Sequence, residues 1–353
     1  MYKTKSGQDL GLGKELGKGG AATVYFHGKD RTKAVKIFKP QVLEKETNLA
    51  KRIEKLNELS QIADIEMPFG HLKKTIGAWP KDIVKDQSGK VVGYIMDTVH
   101  GGIDLSHVVM ARDSKTAFYK YRNQPGYPDW QKYFLYQERG LKNRFVLSYY
   151  LSMYFDKMYD LKSKNGKKID LEICNFDIKP QNILVSIESI NQVNHIVPYI
   201  LDLDNLTLKN NSDVLSPKSA QITPEYRAPE GPIDKYYDYW SIAVLFYQLL
   251  FNQHPFEAVL GGTRFSDGTE RDFFIKNKCF PWGRNRKFLS KATQDDFRHG
   301  NFLKVSGDLQ QLFIRAFDSD HPSQRPSMDE WSVAFIAFLQ NRSIQFDGLF
   351  RYR

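Results

Sequence analysis

Between Cys174 and Val185 the chain reads CNFDIKPQNILV. Three side chains of different chemistry fall within six positions there: the carboxylate of Asp177, the amine of Lys179 and the amide of Asn182. A carboxylate can accept the proton of an attacking hydroxyl. An amine can neutralise a migrating phosphoryl group, and an amide oxygen can hold a metal ion. Together they are what phosphoryl transfer asks of a loop. The apolar run Ile183-Leu184-Val185 follows at once and reads as a strand. The competing view is a polar turn before a strand with no chemistry in it.

Other elements must position such a loop. Residues 10–40 read as a hairpin followed by a third strand. LGKELGKGGAATVYF carries Gly17, Gly19 and Gly20, then Thr23, Val24, Tyr25 and Phe26. Glycines bend the backbone tightly and bring N–H groups close to phosphate oxygens, although a plain hairpin turn has the same look. The pattern is not GxxxxGK, which would need glycine where Leu12 stands. In the third strand, Ala34-Val35-Lys36-Ile37-Phe38, Lys36 lies between apolar residues on a run that reads as buried. Leu49, Ala50, Ile53 and Leu56 recur at helix spacing, so residues 41–60 are expected to be helical. At roughly 100° per residue, Glu46 falls near the middle of that apolar face and Glu54 about 80° to its side. Two strands, IGAWPKDIVKD and KVVGYIMDTV, flank a turn at Gln87-Ser88-Gly89, and a long helix is expected over 141–162.

The bulk composition bounds the class. At 353 residues and 41% hydrophobic content the chain can bury a sizeable core, and 24 Phe with 19 Tyr exclude disorder. The formal charge of +10 favours anionic partners, nucleotides among them. Cys174 and Cys279 are the only cysteines, without metal-ligand spacing, which argues against a disulfide framework and fits a reducing compartment. The first residues lack an apolar signal core, and the longest apolar run, 242–251, is too short to span a bilayer. A soluble, cytoplasmic protein is expected, with delivery into another cell left open.

The loop resembles that of the protein kinases, H-R-D-x-K-P-x-N. The chain keeps Asp177, Lys179, Pro180 and Asn182, with Asn175 for the histidine and Phe176 for the arginine. The resemblance extends over roughly residues 10–340. Gly17, Gly19 and Val24 match the glycine-rich strand pair, with Ala22 for its third glycine, and Ala34 and Lys36 match the strand whose lysine contacts the α- and β-phosphates. That lysine needs a helix glutamate, for which Glu46 is preferred over Glu54. MDTVHGG resembles the hinge, which implies Met96 behind the adenine and backbone hydrogen bonds from Asp97 to Val99. Asp202 falls where the family has the metal-binding Asp of D-F-G, with Leu203 and Asp204 in place of Phe and Gly. Asp204 loses a backbone hinge and, as a second carboxylate beside a metal, could add a ligand.

ITPEYRAPE is similar to the segment of kinases that act on serine or threonine. The resemblance implies that Thr223 bonds near Asp177 and Lys179, that Glu230 pairs with Arg325, and that Asp238 accepts N–H bonds from the catalytic loop. Ala243 stands for a usual glycine. Without an arginine at Phe176, a phosphate on the activation segment lacks its main anchor. Two basic, aromatic-rich stretches, 106–140 and 257–310, could dock a partner or pad the fold. No nucleic-acid-binding pattern accompanies them, so nucleic acid is not an expected partner.

The expectation is therefore an α+β, two-lobed, protein-kinase-like fold of a divergent, bacterial-like kind. Its nucleotide-binding lobe would span 8–101 and its catalytic lobe 102–341, with a short basic tail at 342–353. The implied activity is transfer of the γ-phosphate of ATP, with Mg2+ or Mn2+, to Ser/Thr hydroxyls of a protein substrate, autophosphorylation included. The alternatives are a pseudokinase scaffold, which the departures at Asn175, Ala22 and Asp204 motivate, and a small-molecule kinase, against which ITPEYRAPE speaks.

Overall fold

The computed structural model describes residues 2–109, 117–135, 137–218, 223–231, 234–258, 270–291, 293 and 297–340. The chain divides into two compact units. One comprises Met1–His100, Lys157–Phe176 and Tyr199–Gln221; the other comprises Gly101–Asp156, Asp177–Pro198 and Ile222–Arg353. The first thus takes in two segments that the sequence reading put in the second lobe. The tail at 342–353 lies outside the described residues.

The first unit is built on an antiparallel seven-stranded sheet. Its strands are β1 (Tyr2–Thr4), β2 (Asp9–Leu10), β3 (Leu12–Lys18), β4 (Ala22–His27), β5 (Lys33–Phe38), β8 (Asp82–Lys85) and β9 (Val91–Asp97), in the order β2-β1-β8-β9-β5-β4-β3. A separate hairpin pairs β6 (Glu66–Phe69) with β7 (Leu72–Thr75). β5 is central and buried on both faces. Successive side chains of a strand point to opposite faces. Ala34 and Phe38 accordingly pack with Leu49, Ile53, Tyr94 and Met96, while Val35 packs with Leu10, Val84, Val92 and Ile95. Lys36 shares the parity of Ala34 and Phe38. Opposite β5, Gly93 is required by close approach, since a Cβ there would lie 2.0 Å from the Lys36 carbonyl oxygen.

The helical stretch expected over 41–60 is two helices. α1 (Pro40–Lys45) starts on a proline at its first turn, where the missing N–H costs nothing. It stops at Glu46, which leaves helical geometry at φ −92°, ψ 76°. α2 (Leu49–Ile62) then starts afresh after Asn48, burying Leu49, Arg52, Ile53, Leu56 and Leu59 along one face. Thr47 and Asn48 favour local side-chain bonding over helix interior, which suits a break. A small sheet completes the unit: Glu172–Cys174 pairs with Thr207–Lys209, which pairs with Val214–Leu215.

The second unit is mostly helical. The helix over Gln137–Tyr159, three of whose last residues belong to the first unit, begins earlier than expected. The helix over Lys235–Phe251 is apolar on all sides, as a wholly buried helix must be, and nearly all of its residues are buried. The Asp234 carboxylate caps its start by accepting from the Tyr236 N–H, and Asn252 ends it in the left-handed region at φ 52°. Helices Gly307–Asp318 and Met328–Gln340 pack around it through Phe246, Phe313, Trp331 and Phe335. A three-stranded sheet sets Ile103–Asp104 beside Ile183–Ile190 and Val193–Ile200, the strand Ile183–Ile190 continuing directly from Asn182. In the two unassigned stretches several aromatics turn inward: Phe118, Trp130 and Phe134 are buried, as are Phe274, Phe280 and Phe302, while Tyr127 and Phe288 are exposed. The buried rings are not presented for base stacking. Residues 110–116 and 259–269 of these stretches lie outside the described residues.

Candidate active site

The second unit holds the acid–amine–amide cluster. Asp177 precedes a short helical turn, Pro180–Asn182, that leads into the strand Ile183–Ile190. The turn is pinned from below by the Leu105 N–H, which donates to the carbonyls of Pro180 (3.1 Å) and Ile183 (2.7 Å). Lys179 Nζ donates to Asp177 Oδ2 at 2.6 Å and to Thr223 Oγ1 at 3.1 Å. Thr223 Oγ1 in turn lies 3.5 Å from Asp177 Oδ1. Asn182 Nδ2 donates to the Asp177 carbonyl at 2.8 Å and to its Oδ2 at 3.0 Å. The amide is thereby oriented. Its oxygen has no donor among the described residues, which suits an oxygen ligand for a hard cation. Asp177, Lys179, Asn182 and Thr223 are thus brought together. Asp238 is fully buried on the helix Lys235–Phe251.

Further along, Arg325 donates to Glu230 and to the Tyr236 carbonyl at 2.7 Å, and lies 5.0 Å from the centre of the Trp240 ring. This ties the end of the threonine-containing segment to the helical core.

The first unit holds the Lys36 cluster. Lys36 Nζ lies 2.8 Å from Asp202 Oδ1 and 2.5 Å from Asp204 Oδ1. Burial works to lower its pKa, but the carboxylates of Asp202 and Asp204 outweigh that and hold the ammonium well above its usual range. Tyr94 OH donates to the same Asp204 oxygen at 2.8 Å, and its own pKa is pushed up by burial and by that carboxylate. Asp202 sits in left-handed backbone at φ 57°, ψ 37°, which aspartate tolerates better than most residues.

The expected pairing of Lys36 with Glu46 does not form. Because the helix breaks at Glu46, that carboxylate is carried off the predicted face. It meets Arg52 Nη1 at 3.5 Å and accepts the Lys218 N–H at 2.9 Å. Glu54 is exposed. The Asp204 carboxylate is engaged through Oδ1 by Lys36 and Tyr94. Sequence reasoning missed Arg52, whose Nε donates to the Asp204 carbonyl at 3.2 Å. The signal was present, for an arginine between Leu49, Ile53 and Leu56 on an apolar face calls for a buried acid.

Gly17 and Gly19 lie on β3 and the turn into β4, the Gly19 N–H bonding the Ala22 carbonyl at 2.9 Å. A Cβ at Gly17 would meet nothing within 4 Å, so open space lies beside that backbone. Val24 packs partly buried on the cluster of Ala34 and Met96, which face each other across β5 and β9. Asp97 ends β9 exposed and ion-paired with Lys33, and Val99 follows half-buried. Phe176 is buried, its ring edge-on to Tyr159 at 5.9 Å, and Asn175 takes left-handed backbone at φ 63°.

Comparison with known proteins agrees with this geometry. Residues 169–333 match the family profile described as protein kinase domain. The chain is 26% identical over 253 residues to the serine/threonine-protein kinase ULK3 of Xenopus laevis, a span covering 70% of this chain and 43% of that protein. The chain thus spans less than half the length of that relative. In sequence and in fold the chain resembles the protein kinase superfamily, Ser/Thr type, with the α+β kinase architecture: an antiparallel sheet with a helix on it, and a mostly helical part. Protein kinases as a family use ATP and a divalent metal. No helix among the described residues is long and apolar enough to cross a membrane.

Proposed function

We propose that the chain is an ATP-dependent protein kinase that transfers the γ-phosphate to Ser/Thr hydroxyls, its own included. The observation that carries this is the cluster of Asp177, Lys179, Asn182 and Thr223 in the second unit. Asp177 would accept the proton of the attacking hydroxyl, and the Thr223 hydroxyl beside it would help shape the acceptor position. Lys179, already within hydrogen-bond distance of Asp177, would offset the charge of the moving phosphoryl group. By resemblance to the family, Asn182 would hold a metal, Mg2+ or Mn2+ in its place, and Asp202 stands at the family's other metal-binding position; such an ion when bound would neutralise phosphate charge. An amide oxygen without a donor and a partly exposed carboxylate suit such a cation. Lys36 would position the α- and β-phosphates. Gly17, Gly19, Val24, Ala34, Met96, Asp97 and Val99 would hold the nucleotide. The substrate is a protein by resemblance to Ser/Thr kinases, and its identity is open. Such chemistry rests on alignment and charge more than on covalent help from the protein.

Intact-mass measurement after incubation with ATP and magnesium, beside D177N and K36M, tests the proposal. Added phosphate on the wild type and on neither variant is the expected result. No added phosphate on the wild type with a generic acceptor protein also unmodified would overturn it.

A further inference from the structure

Resting on the kinase reading, we propose that Asp204 is the positioning residue for Lys36, supplying from the segment after Asp202 the carboxylate that the family takes from a helix. Four observations carry this. The first is burial. The side chains of Lys36 and Asp204 are 7% and 2% exposed, whereas that of Asp202 is 42% exposed. A desolvated carboxylate holds its cation because neither can turn to water instead. Asp202 is far more exposed and has water as an alternative partner. The second is convergence. Lys36 and Tyr94 are cross-strand neighbours on β5 and β9, and both reach the same oxygen of Asp204. The lysine is therefore referenced to the rigid centre of the sheet.

The third observation is what α2 presents. Its buried polar side chain nearest this point is not an acid but Arg52, which donates to the Asp204 carbonyl. A guanidinium there is no partner for an ammonium, so the acid must come from elsewhere. The same guanidinium fixes the backbone that carries the substitute. The fourth is that Glu46 is committed to Arg52 and to the Lys218 N–H. Arginine on the helix and aspartate after Leu203 thus act as a matched exchange of charge between two elements. An aspartate in place of a flexible glycine is the cost of it.

The test has two parts. The first compares kcat/KM for ATP in wild type, D204N, K36A and K36A/D204N. A misplaced reacting group costs on the order of 100-fold for ~1 Å of displacement, and D204N should lose that much. In the K36A background the same change should alter the rate by about two-fold or less, because Asp204 acts through Lys36. An unchanged rate in D204N, or an equal loss with and without Lys36, would overturn the proposal. The second part needs no nucleotide and no activity. Melting temperatures of D204N, K36M and K36M/D204N should be strongly non-additive, the double variant melting no lower than the worse single one. Additive melting losses would overturn the pairing. A wild type that transfers no phosphate would count against the kinase reading, while the melting cycle would still decide the Lys36–Asp204 pair.

Discussion

The Glu230–Arg325 pair offers a prediction whose size follows from burial. Arg325 has a side chain 2% exposed, whereas that of Glu230 is 28% exposed. The guanidinium is bonded to Glu230 and to the Tyr236 carbonyl, with the Trp240 ring beneath it. Removing the two partners is therefore unequal. Glu230→Ala leaves a desolvated cation with one carbonyl and an aromatic face, and breaking a buried pair in this way costs about 3–5 kcal/mol. The lower end applies, because water can enter where Glu230 stood. Arg325→Met gives up two charge-assisted bonds worth about 1.5–3 kcal/mol each. Most of that returns, because the carboxylate rehydrates at the surface and methionine fills the channel of the arginine stem. A net loss of about 1–2 kcal/mol is expected. The double variant should resemble Arg325→Met alone, which makes the coupling energy about 3 kcal/mol, the whole of the Glu230→Ala loss. Urea unfolding followed by tryptophan fluorescence measures all four proteins, with Trp240 as the local reporter. A methionine variant less stable than the alanine variant, or additive losses, would refute the reasoning.

Two further predictions concern regulation and pH. Phe176 buries a ring where a phosphate-gripping arginine would stand, so S212A, S216A and S219A should each keep the wild-type rate of phosphate transfer; a collapse in any of them would refute this (Ser219 lies outside the described residues). Burial, with Arg271 adding to it, lowers the pKa of His254 from 6.5 to about 3. Its Nδ1 accepts the Phe256 N–H at 3.1 Å and its Nε2 faces the Glu225 carbonyl at 2.9 Å, so the folded protein keeps the ring neutral. The unfolded chain then binds the extra proton between those values. Stability is fully present above pH 6.5 and declines as pH falls towards about 3. H254N should flatten that decline in urea titrations at successive pH values, and an unchanged slope would count against it.

What was legible in the sequence was local. Asp177, Lys179 and Asn182 lie in one short loop whose chemistry is readable from residue types, and the structure brings Thr223 to them from a second recognisable segment. Glu230 and Arg325 were readable as a pair because each sits in its own motif. The partner of Lys36 was not legible. It depends on where a helix breaks, and helical phase counted through Thr47 and Asn48 pointed Glu46 at the wrong place. It depends also on contacts between residues 166 and 168 positions apart, which no local pattern reports. The stretch over 117–135 lacked periodicity because its helices, Ala117–Lys120 and Trp130–Phe134, are too short to show one. Burial of Phe118, Trp130 and Phe134 came from tertiary packing.

The most direct test is the rate of γ-phosphate transfer from labelled ATP to a serine- and threonine-containing acceptor protein, wild type against D177N. Loss of a positioned base costs about 10²–10⁴-fold, and the account predicts a fall of that size with label on serine or threonine. Equal rates in the two proteins would contradict it.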